Sequence, residues 1–498
     1  MFLKRFNKYA LTRIFNYRFV CLMMGRLCLL QVPFLLLSVL VSLYYQDAGL
    51  KPLLQCIGAM VGVGLLLCLA GRSSNLYNAG RREGMMSVTL SWIIVSLVGM
   101  LPYKIGGYVP GWSDAFFETI SGFTTTGATI FSEVENLPRS ILLWRSITQW
   151  EGGIGIVVFA VALLPIMGGS ASHLLVSETS GVTHERFTPR SGVMAKWLIG
   201  IYLMLSATCL LLFCLGPMGW FDALCHAMSC ISTGGFSTRN DSLAAYANSP
   251  YTQAVATLFM IIGAVNFTLL YHSLRNQHSK LWRDTEFRWF IGTIVVLTLV
   301  SGVGLFIKGV YPSFAQSCWM VLPQLVSLIT STGLVSVDYD LWPPFFGFIA
   351  IFAMFVTGCA GSTSGGLKMG RFVILIKNLG NEFQKRTHPN AVLPVRINGR
   401  PIPGKVVHQV LAFFFAYLSL GFLAATVIAF EGFPLRDSLA SAIACLSNAG
   451  PGMGPLGPTE PFAVLSPFSK LMLSFIMVLG RLEIFTVLTL FHPSFWKH

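Results

Sequence analysis

The stretch SGFTTTG at residues 121–127 decides how the chain is read, because it has three counterparts. They are SCISTGG at 229–235, LITSTGL at 328–334 and LSNAGPG at 446–452. Each ends a short apolar segment with small hydroxyl or amide residues and then glycine. The closing glycines Gly127, Gly234, Gly333 and Gly450 are 107, 99 and 117 residues apart (234−127, 333−234, 450−333). An internal repeat of this kind outranks any local motif as a sign of architecture. One Thr-Thr-Gly is an ordinary helix C-cap. Four of them, each between two longer apolar runs, point to four turns presenting backbone carbonyls to one axis. Such a set can replace the hydration shell of a cation.

Composition agrees. Hydrophobic residues make up 54% of the 498, charged residues 11%, and mean hydropathy is +0.68. A soluble domain carries about 25% charge. Apolar runs of the length a bilayer needs, about 20 residues, fall near 22–44, 52–71, 84–103, 140–167, 192–216, 251–274, 287–309, 342–370, 405–430 and 466–492. Pro33 is expected to kink the first. The shorter apolar segments that end at the four glycines read as re-entrant half-helices, because irregular backbone at membrane depth must line a cavity or lie inside protein. The fold class expected is an all-α integral membrane protein. Its core is a fourfold pseudo-symmetric repeat of helix, pore half-helix, filter loop and helix, preceded by two extra transmembrane helices. The boundaries are 1–83 for the N-terminal pair, then 84–191, 192–286, 287–404 (with a gate loop) and 405–498 for the repeats.

Charge sets the expected orientation. The segments 1–18, 72–83, 168–196, 275–288, 371–405 and the tail hold 23 of the 34 Lys and Arg but 6 of the 20 acids. That skew places them, and both termini, in the cytosol. The +14 net charge is then a topology signal; the partner implied is membrane lipid, with no nucleic acid. Asp114, Glu118, Asp241, Asp338 and Asp340 would concentrate cations at the outer mouth, unless they are ordinary solvated loop charges. The eleven cysteines include no CxxC pair and read as small hydrophobes. There is no Walker motif and no recurrent nucleophile–base set, so the chain reads as no enzyme, and any nucleotide control arrives from another subunit.

Asp114, Asp222 and Asp437 stand 13, 12 and 13 residues before Gly127, Gly234 and Gly450. They suit half-helix N-caps, which would aim the partly negative C-terminal ends at the turns. The third half-helix has Met320 at that position and is expected to start near Ser313 or Ser317, with Pro323 inside. The candidate filter is Thr125, Thr126 and Gly127; Ser232, Thr233 and Gly234; Ser331, Thr332 and Gly333; and Asn448, Ala449 and Gly450. Glycine suits such a turn because only it adopts the required backbone conformations cheaply.

The eighth apolar run is interrupted by TGCAGSTSGG at 357–366, followed by Lys368. Gly358, Gly361, Gly365 and Gly366, with the small Ala360 among them, work against continuous helix through their glycines. A break at this depth belongs inside the protein, across the pathway, with Ser362, Thr363, Ser364 and Lys368 as polar members. The alternative is a close-packing glycine face. Arg481, in VLGRLEIF, is an intramembrane arginine and hence a functional candidate beside this loop. Glu483, two residues on, points to another side of a helix. Glu151, in QWEGG, reads as a structural buried charge, and His226 as a packing residue.

Span, half-helix, glycine turn and span, four times in one chain, resemble the bacterial Trk/Ktr and plant HKT superfamily of potassium transporters, most closely its TrkH-type membrane subunits. The resemblance covers about residues 20–495 and rests on TTTGAT at 124–129, STGGFST at 232–238, TSTG at 330–333 and SNAGPG at 447–452. QWEGGIGI at 149–156 and SETSG…TPR at 177–190 add to it. It implies that the four glycines form a K⁺-selective filter and that 357–366 is an intramembrane gate loop with Arg481 beside it. No covalent cofactor is implied, only K⁺ in the filter. It further implies a homodimer in the bacterial cytoplasmic membrane, seated on a TrkA-like ring of nucleotide-binding subunits. The docking surface would be 72–83, 177–190, 275–288 and 371–405. Glycine in all four quarters goes with K⁺; serine in the first goes with Na⁺. A Na⁺-coupled or Na⁺-conducting transporter of the same fold is the alternative, and Asn448 and Ala449 depart from the hydroxyl pattern.

Overall fold

The structure is a computed structural model that describes residues 15–72, 80–163, 191–275 and 278–496. Two antiparallel helices, Tyr17–Tyr45 and Leu50–Ala70, come first, and the former runs unbroken through Pro33. They approach closely at small residues: a Cβ on Gly25 would stand 2.7 Å from the Gly64 carbonyl oxygen. Small residues at the contact are what lets helices pack in lipid, where no hydrophobic force drives them together. Asp47, in the turn between them, accepts hydrogen bonds from Ser42, from Gly49 N and from both the amide and the hydroxyl of Ser140. Burial alone would raise its carboxyl, but these bonds outweigh it and hold Asp47 below the usual carboxylate range. The turn thereby anchors the pair to the first repeat.

The remaining chain runs four times through the same order of elements. The first quarter has Arg81–Gly99, the short helix Trp112–Phe123 in the position expected of a pore helix, and Arg139–Leu163. The second has Ser191–Cys214, the pore helix Trp220–Ser232 and Pro250–Gly263, which bends by 104° into Phe267–Leu274. The third has Thr285–Ile307, the pore helix Phe314–Ile329 and Phe345–Phe355, followed after a break by Met369–Thr387. The fourth has Gly404–Phe430, the pore helix Leu435–Ser447 and Pro467–Arg481, which bends by 115° into Ile484–Phe491. One core cluster is built mainly from the second and third quarters, the other from the N-terminal pair with the first and fourth.

Among the described residues six helices are long and apolar enough to cross a bilayer, or eight if each bent pair is one span. The outer helices keep large apolar side chains on their exposed sides, including Leu40, Leu66, Leu211, Val296, Leu299, Phe415 and Phe422. A helix apolar on its exposed side as well as its packed side is built for lipid. The chain is a multi-pass membrane protein. Of the ten runs expected to span, the fourth carries Arg139, Arg145 and Glu151, and the eighth is cut to the 11 residues Phe345–Phe355. The bends in the sixth and tenth were not expected. Asn266 starts the new direction in one by accepting from Thr268 N, and Glu483, at φ 66°, marks the other. All eleven cysteines are free, most of them buried.

Cysteines placed singly at 107 and 338 are expected to react with an impermeant reagent from outside, and at 390 only after permeabilisation. Outside labelling at 390 would reverse the orientation. Position 78, the loop 177–190 and most of 72–83 lie outside the described residues.

Candidate functional site: four turns in a ring and a loop beneath them

All four pore helices end in the same cap. The amide of Thr126 bonds the carbonyl of Ser121 at 2.8 Å, Gly234 that of Ser229 at 2.9 Å, Thr332 that of Ser327 at 2.8 Å and Ala449 that of Ala444 at 2.8 Å. This six-to-one bond requires one left-handed residue before the donor. Those residues are Thr125, Thr233, Ser331 and Asn448, at φ 54°, 52°, 52° and 56°. For a residue with a side chain the left-handed region costs about 1–2 kcal/mol. Four such residues in register are strain gathered at one place.

Two residues further on come glycines at positive φ: Gly127 at 86°, Gly235 at 89°, Gly333 at 80° and Gly450 at 87°. Each faces the carbonyl of the next quarter. A Cβ on Gly127 would stand 2.5 Å from the Gly234 oxygen; one on Gly235 would fall on the Thr332 oxygen and one on Gly333 on that of Ala449. A Cβ on Gly450 would stand 2.5 Å from the Thr126 oxygen, which closes the ring. The same four glycines line one cavity of about 60 Å³ above the ring, room for several waters.

This geometry corrects the second quarter by one residue. Ser232 is the last residue of its helix, and the set equivalent to Thr125, Thr126 and Gly127 is Thr233, Gly234 and Gly235. STGG holds two adjacent glycines, and sequence cannot say which one adopts positive φ. With Gly235 the intervals become 108, 98 and 117 (235−127, 333−235, 450−333), and all three aspartates stand 13 before their glycine. The aspartates are not N-caps, however. The caps are Gly111, Gly219, Ser313 and Pro434, and each aspartate is the third helical residue. Asp114 receives Gly111 N at 3.0 Å and the Lys470 ammonium at 2.7 Å, which ties the first pore helix to the fourth quarter. Ser313 begins the third pore helix, one of the two starts expected, and accepts from Gln316 N.

Nine residues before three of the four glycines lies a brace that sequence reading missed. Glu118 accepts from Ile130 N at 2.8 Å and pairs with Arg145 at 2.8 Å. It is fully buried, so it is not a mouth charge. His226 bonds the Ser237 hydroxyl at 2.9 Å, and Gln324 accepts from Ser336 N at 2.9 Å. In the fourth quarter the position is Ser441, whose hydroxyl has no partner among the described residues. The equal offset was a legible signal; the unlike chemistry of Glu, His, Gln and Ser hid it. Gln149 adds a further brace, donating to the Gly234 carbonyl at 2.5 Å and accepting from Phe236 N at 3.0 Å.

Directly under the ring lies the loop 358–366, held at its ends by two short parallel strands, Val356–Thr357 and Leu367–Lys368. Gly365 N donates to the Ser331 hydroxyl at 2.7 Å, Thr233 Oγ1 to Thr363 Oγ1 at 3.2 Å, and a Cβ on Gly365 would stand 2.7 Å from Asn448 Oδ1. The loop thus touches the left-handed residue of three quarters. Cys359 N donates to the Ala264 carbonyl, and Phe267 N to the Gly361 carbonyl, so the break in one inner helix seats the break in another. Glu286, unforeseen in the sequence, accepts from Ala360 N and Gly370 N, both at 2.7 Å, and staples the two ends. Ser362 and Ser364 share a hydroxyl bond, and the Lys368 ammonium donates to the Ser364 carbonyl. Gly358 and Gly366 complete the loop, the latter at φ 67°.

Arg481 is 3% exposed and donates to the Thr363 carbonyl at 2.5 Å and to the Gly152 carbonyl at 2.8 Å. The loop is therefore latched to the first quarter through a guanidinium from the fourth. Glu483 turns away to Arg371 at 2.6 Å.

The fold and site define the class: a helical multi-pass membrane protein with four strained turns gathered in a ring. The TrkH family profile, described as a cation transport protein, matches residues 63–498. The Trk system potassium uptake proteins TrkH of Salmonella typhimurium and of Escherichia coli K12 are each 35% identical to it over 486 residues, 97% of this chain and 100% of theirs. The crystal structure of the potassium transporter TrkH from Vibrio parahaemolyticus superposes with a TM-score of 0.87 at 33% identity, covering 97% of this chain and 100% of that one. This chain belongs to the TrkH family of cation transport proteins.

Proposed function

We propose that the protein takes up K⁺ across the cytoplasmic membrane through the four-part ring and that the loop 358–366 is its gate. The closed circuit of glycines 127, 235, 333 and 450 against the carbonyls of 234, 332, 449 and 126 carries this reading. Backbone oxygens held at fixed separation can stand in for water around an ion, and the braces behind them keep them from following a smaller one. Each pore helix also directs its partly negative C-terminal end toward the ring. Potassium uptake by the relatives named above supports the choice of ion.

On this reading Thr125, Thr126, Gly127, Thr233, Gly234, Gly235, Ser331, Thr332, Gly333, Asn448, Ala449 and Gly450 form the filter. Gly358, Gly361, Ser362, Thr363, Ser364, Gly365, Gly366, Lys368 and Arg481 form the gate. The repeats are 84–191, 192–286, 287–404 and 405–498. The working assembly is a homodimer with cytosolic termini, seated on a TrkA-like nucleotide-binding ring. Met369–Thr387 supports that docking because it presents exposed Lys385 and Arg386 in its last turn. Flux into liposomes containing purified protein, with K⁺ and Na⁺ compared, tests the proposal. K⁺ uptake that exceeds Na⁺ uptake and rises when the nucleotide-binding partner is added is the expected outcome. Equal or greater Na⁺ uptake would favour the Na⁺ reading.

A further inference from the structure

Glu151 is left out of both the ring and the gate, yet along its helix it stands between a residue bonded to one and a residue bonded to the other. It lies on Arg139–Leu163, is 8% exposed, and neither carboxyl oxygen accepts a hydrogen bond from a described residue. The side chain against it is Gln31, from Tyr17–Tyr45, itself 9% exposed. The Gln31 carbonyl oxygen also accepts nothing among the described residues. Buried polar atoms are nearly always satisfied, and among the described residues this pair is short of donors.

The charged and titratable groups on the elements packed around this helix are engaged elsewhere or exposed. Glu118 is closed by Arg145, Asp114 by Lys470 and Asp222 by Arg239. His226 lies between the Asp222 carbonyl and Ser237, and the Tyr202 hydroxyl donates to the Trp150 carbonyl at 2.8 Å. Arg26 and Lys196 are exposed.

We infer that Glu151 and Gln31 form a proton-binding site whose occupancy sets how firmly the gate is latched. One proton completes the pair. The acid O–H can then donate to Gln31 Oε1, and no net charge is left in the buried site. Without the proton, a bare carboxylate stays buried and draws in water.

The coupling to the gate is a matter of one helical turn, 3.6 residues. Gln149 donates to the Gly234 carbonyl at 2.5 Å, and the Gly152 carbonyl receives Arg481 at 2.8 Å. Glu151 stands between them. When hydration of the carboxylate moves this turn, the Arg481 latch loosens. Flux should then rise with pH through the titration of Glu151. This consequence rests on the gate reading; the proton site itself does not.

The test uses the full-length protein in liposomes. Infrared difference spectra should show the C=O stretch of a protonated carboxylic acid that fades as pH rises and is missing in Glu151→Gln. Across the same pH range wild-type K⁺ flux should rise about five-fold or more, the lower end of ordinary coupling between sites. Glu151→Gln should stay flat at the low-pH flux, and Glu151→Leu, which fills the crevice with an apolar side chain, should be flat as well. A band that does not titrate, or that persists in Glu151→Gln, overturns the site. A titrating band with an unchanged pH profile in Glu151→Gln overturns the coupling. Deletion of 361–365 separates the two readings, since flux should become high and independent of pH while the band still titrates. If that deletion leaves flux low and pH-dependent, the gate reading fails and the band alone decides the proton site.

Discussion

Gly235→Ser is expected to collapse the preference for K⁺ over Na⁺, whereas Gly234→Ala should lower it less. Gly235 stands at φ 89°, where any side chain strains the backbone, and its Cβ would fall on the Thr332 carbonyl oxygen. The strain is about 1–2 kcal/mol, and forcing atoms into a packed site adds about 1–3 kcal/mol. The ring relieves this only by tilting carbonyls off the axis. Since about 1.4 kcal/mol is a factor of ten, the K⁺/Na⁺ flux ratio should drop at least ten-fold. Gly127→Ser, Gly333→Ser and Gly450→Ser should behave alike. Gly234 has no such φ, and its counterparts Thr126, Thr332 and Ala449 all carry a Cβ. An alanine there presses on Gln149, whose own Cβ would lie 2.9 Å from the new one, and disturbs the bond Gln149 gives the Gly234 carbonyl, but it needs no strained φ and displaces no carbonyl of the next quarter. A smaller loss than in Gly235→Ser is expected, since the packing cost remains and the left-handed strain does not. The opposite ranking of the two variants would show that the ring has been placed one residue out.

Arg481→Ala should raise basal flux in the absence of the regulatory partner. The substitution strips donors from the Thr363 and Gly152 carbonyls, which are buried in the latched arrangement. A buried acceptor left unmade costs about 1–3 kcal/mol. That penalty falls on the closed state, because a loop that has moved can expose its carbonyl to water in the pathway. A shift of about 1.4 kcal/mol already means ten-fold more open protein. Arg481→Lys should lie between, since one ammonium cannot hold both carbonyls as a planar fork does. Reduced flux with normal insertion and thermal stability would mean that the latch builds the pathway and does not close it.

Much of this was legible in the linear chain, and for identifiable reasons. Most of the spans were legible because a helix that crosses lipid must be long and apolar, and a 3.6-residue period is unnecessary when every side is apolar. The turns were legible because a C-cap followed by positive φ narrows the choice to small residues and glycine. The break at 357–366 was legible because glycines inside a span work against continuous helix, although a close-packing face would have used them as well. Arg481 stood out because charge at that depth is expensive.

The register of STGG, by contrast, was not legible, because both glycines satisfy the sequence rule and only the closing of the ring selects Gly235. Nor were the braces formed by Glu118, His226 and Gln324, since these residues share a position and not a chemistry. Glu118 looked like a surface acid until Arg145, 27 residues on, was found against it. Glu286 looked like a loop charge until it was found bonded to Ala360 and Gly370. The sequence by itself determined what each segment is, since span, cap and break depend on residues within a few positions of one another. Only the tertiary structure decided which segments meet, since a ring of four carbonyls and a latch from residue 481 to residue 363 join parts of the chain whose separation leaves no local trace.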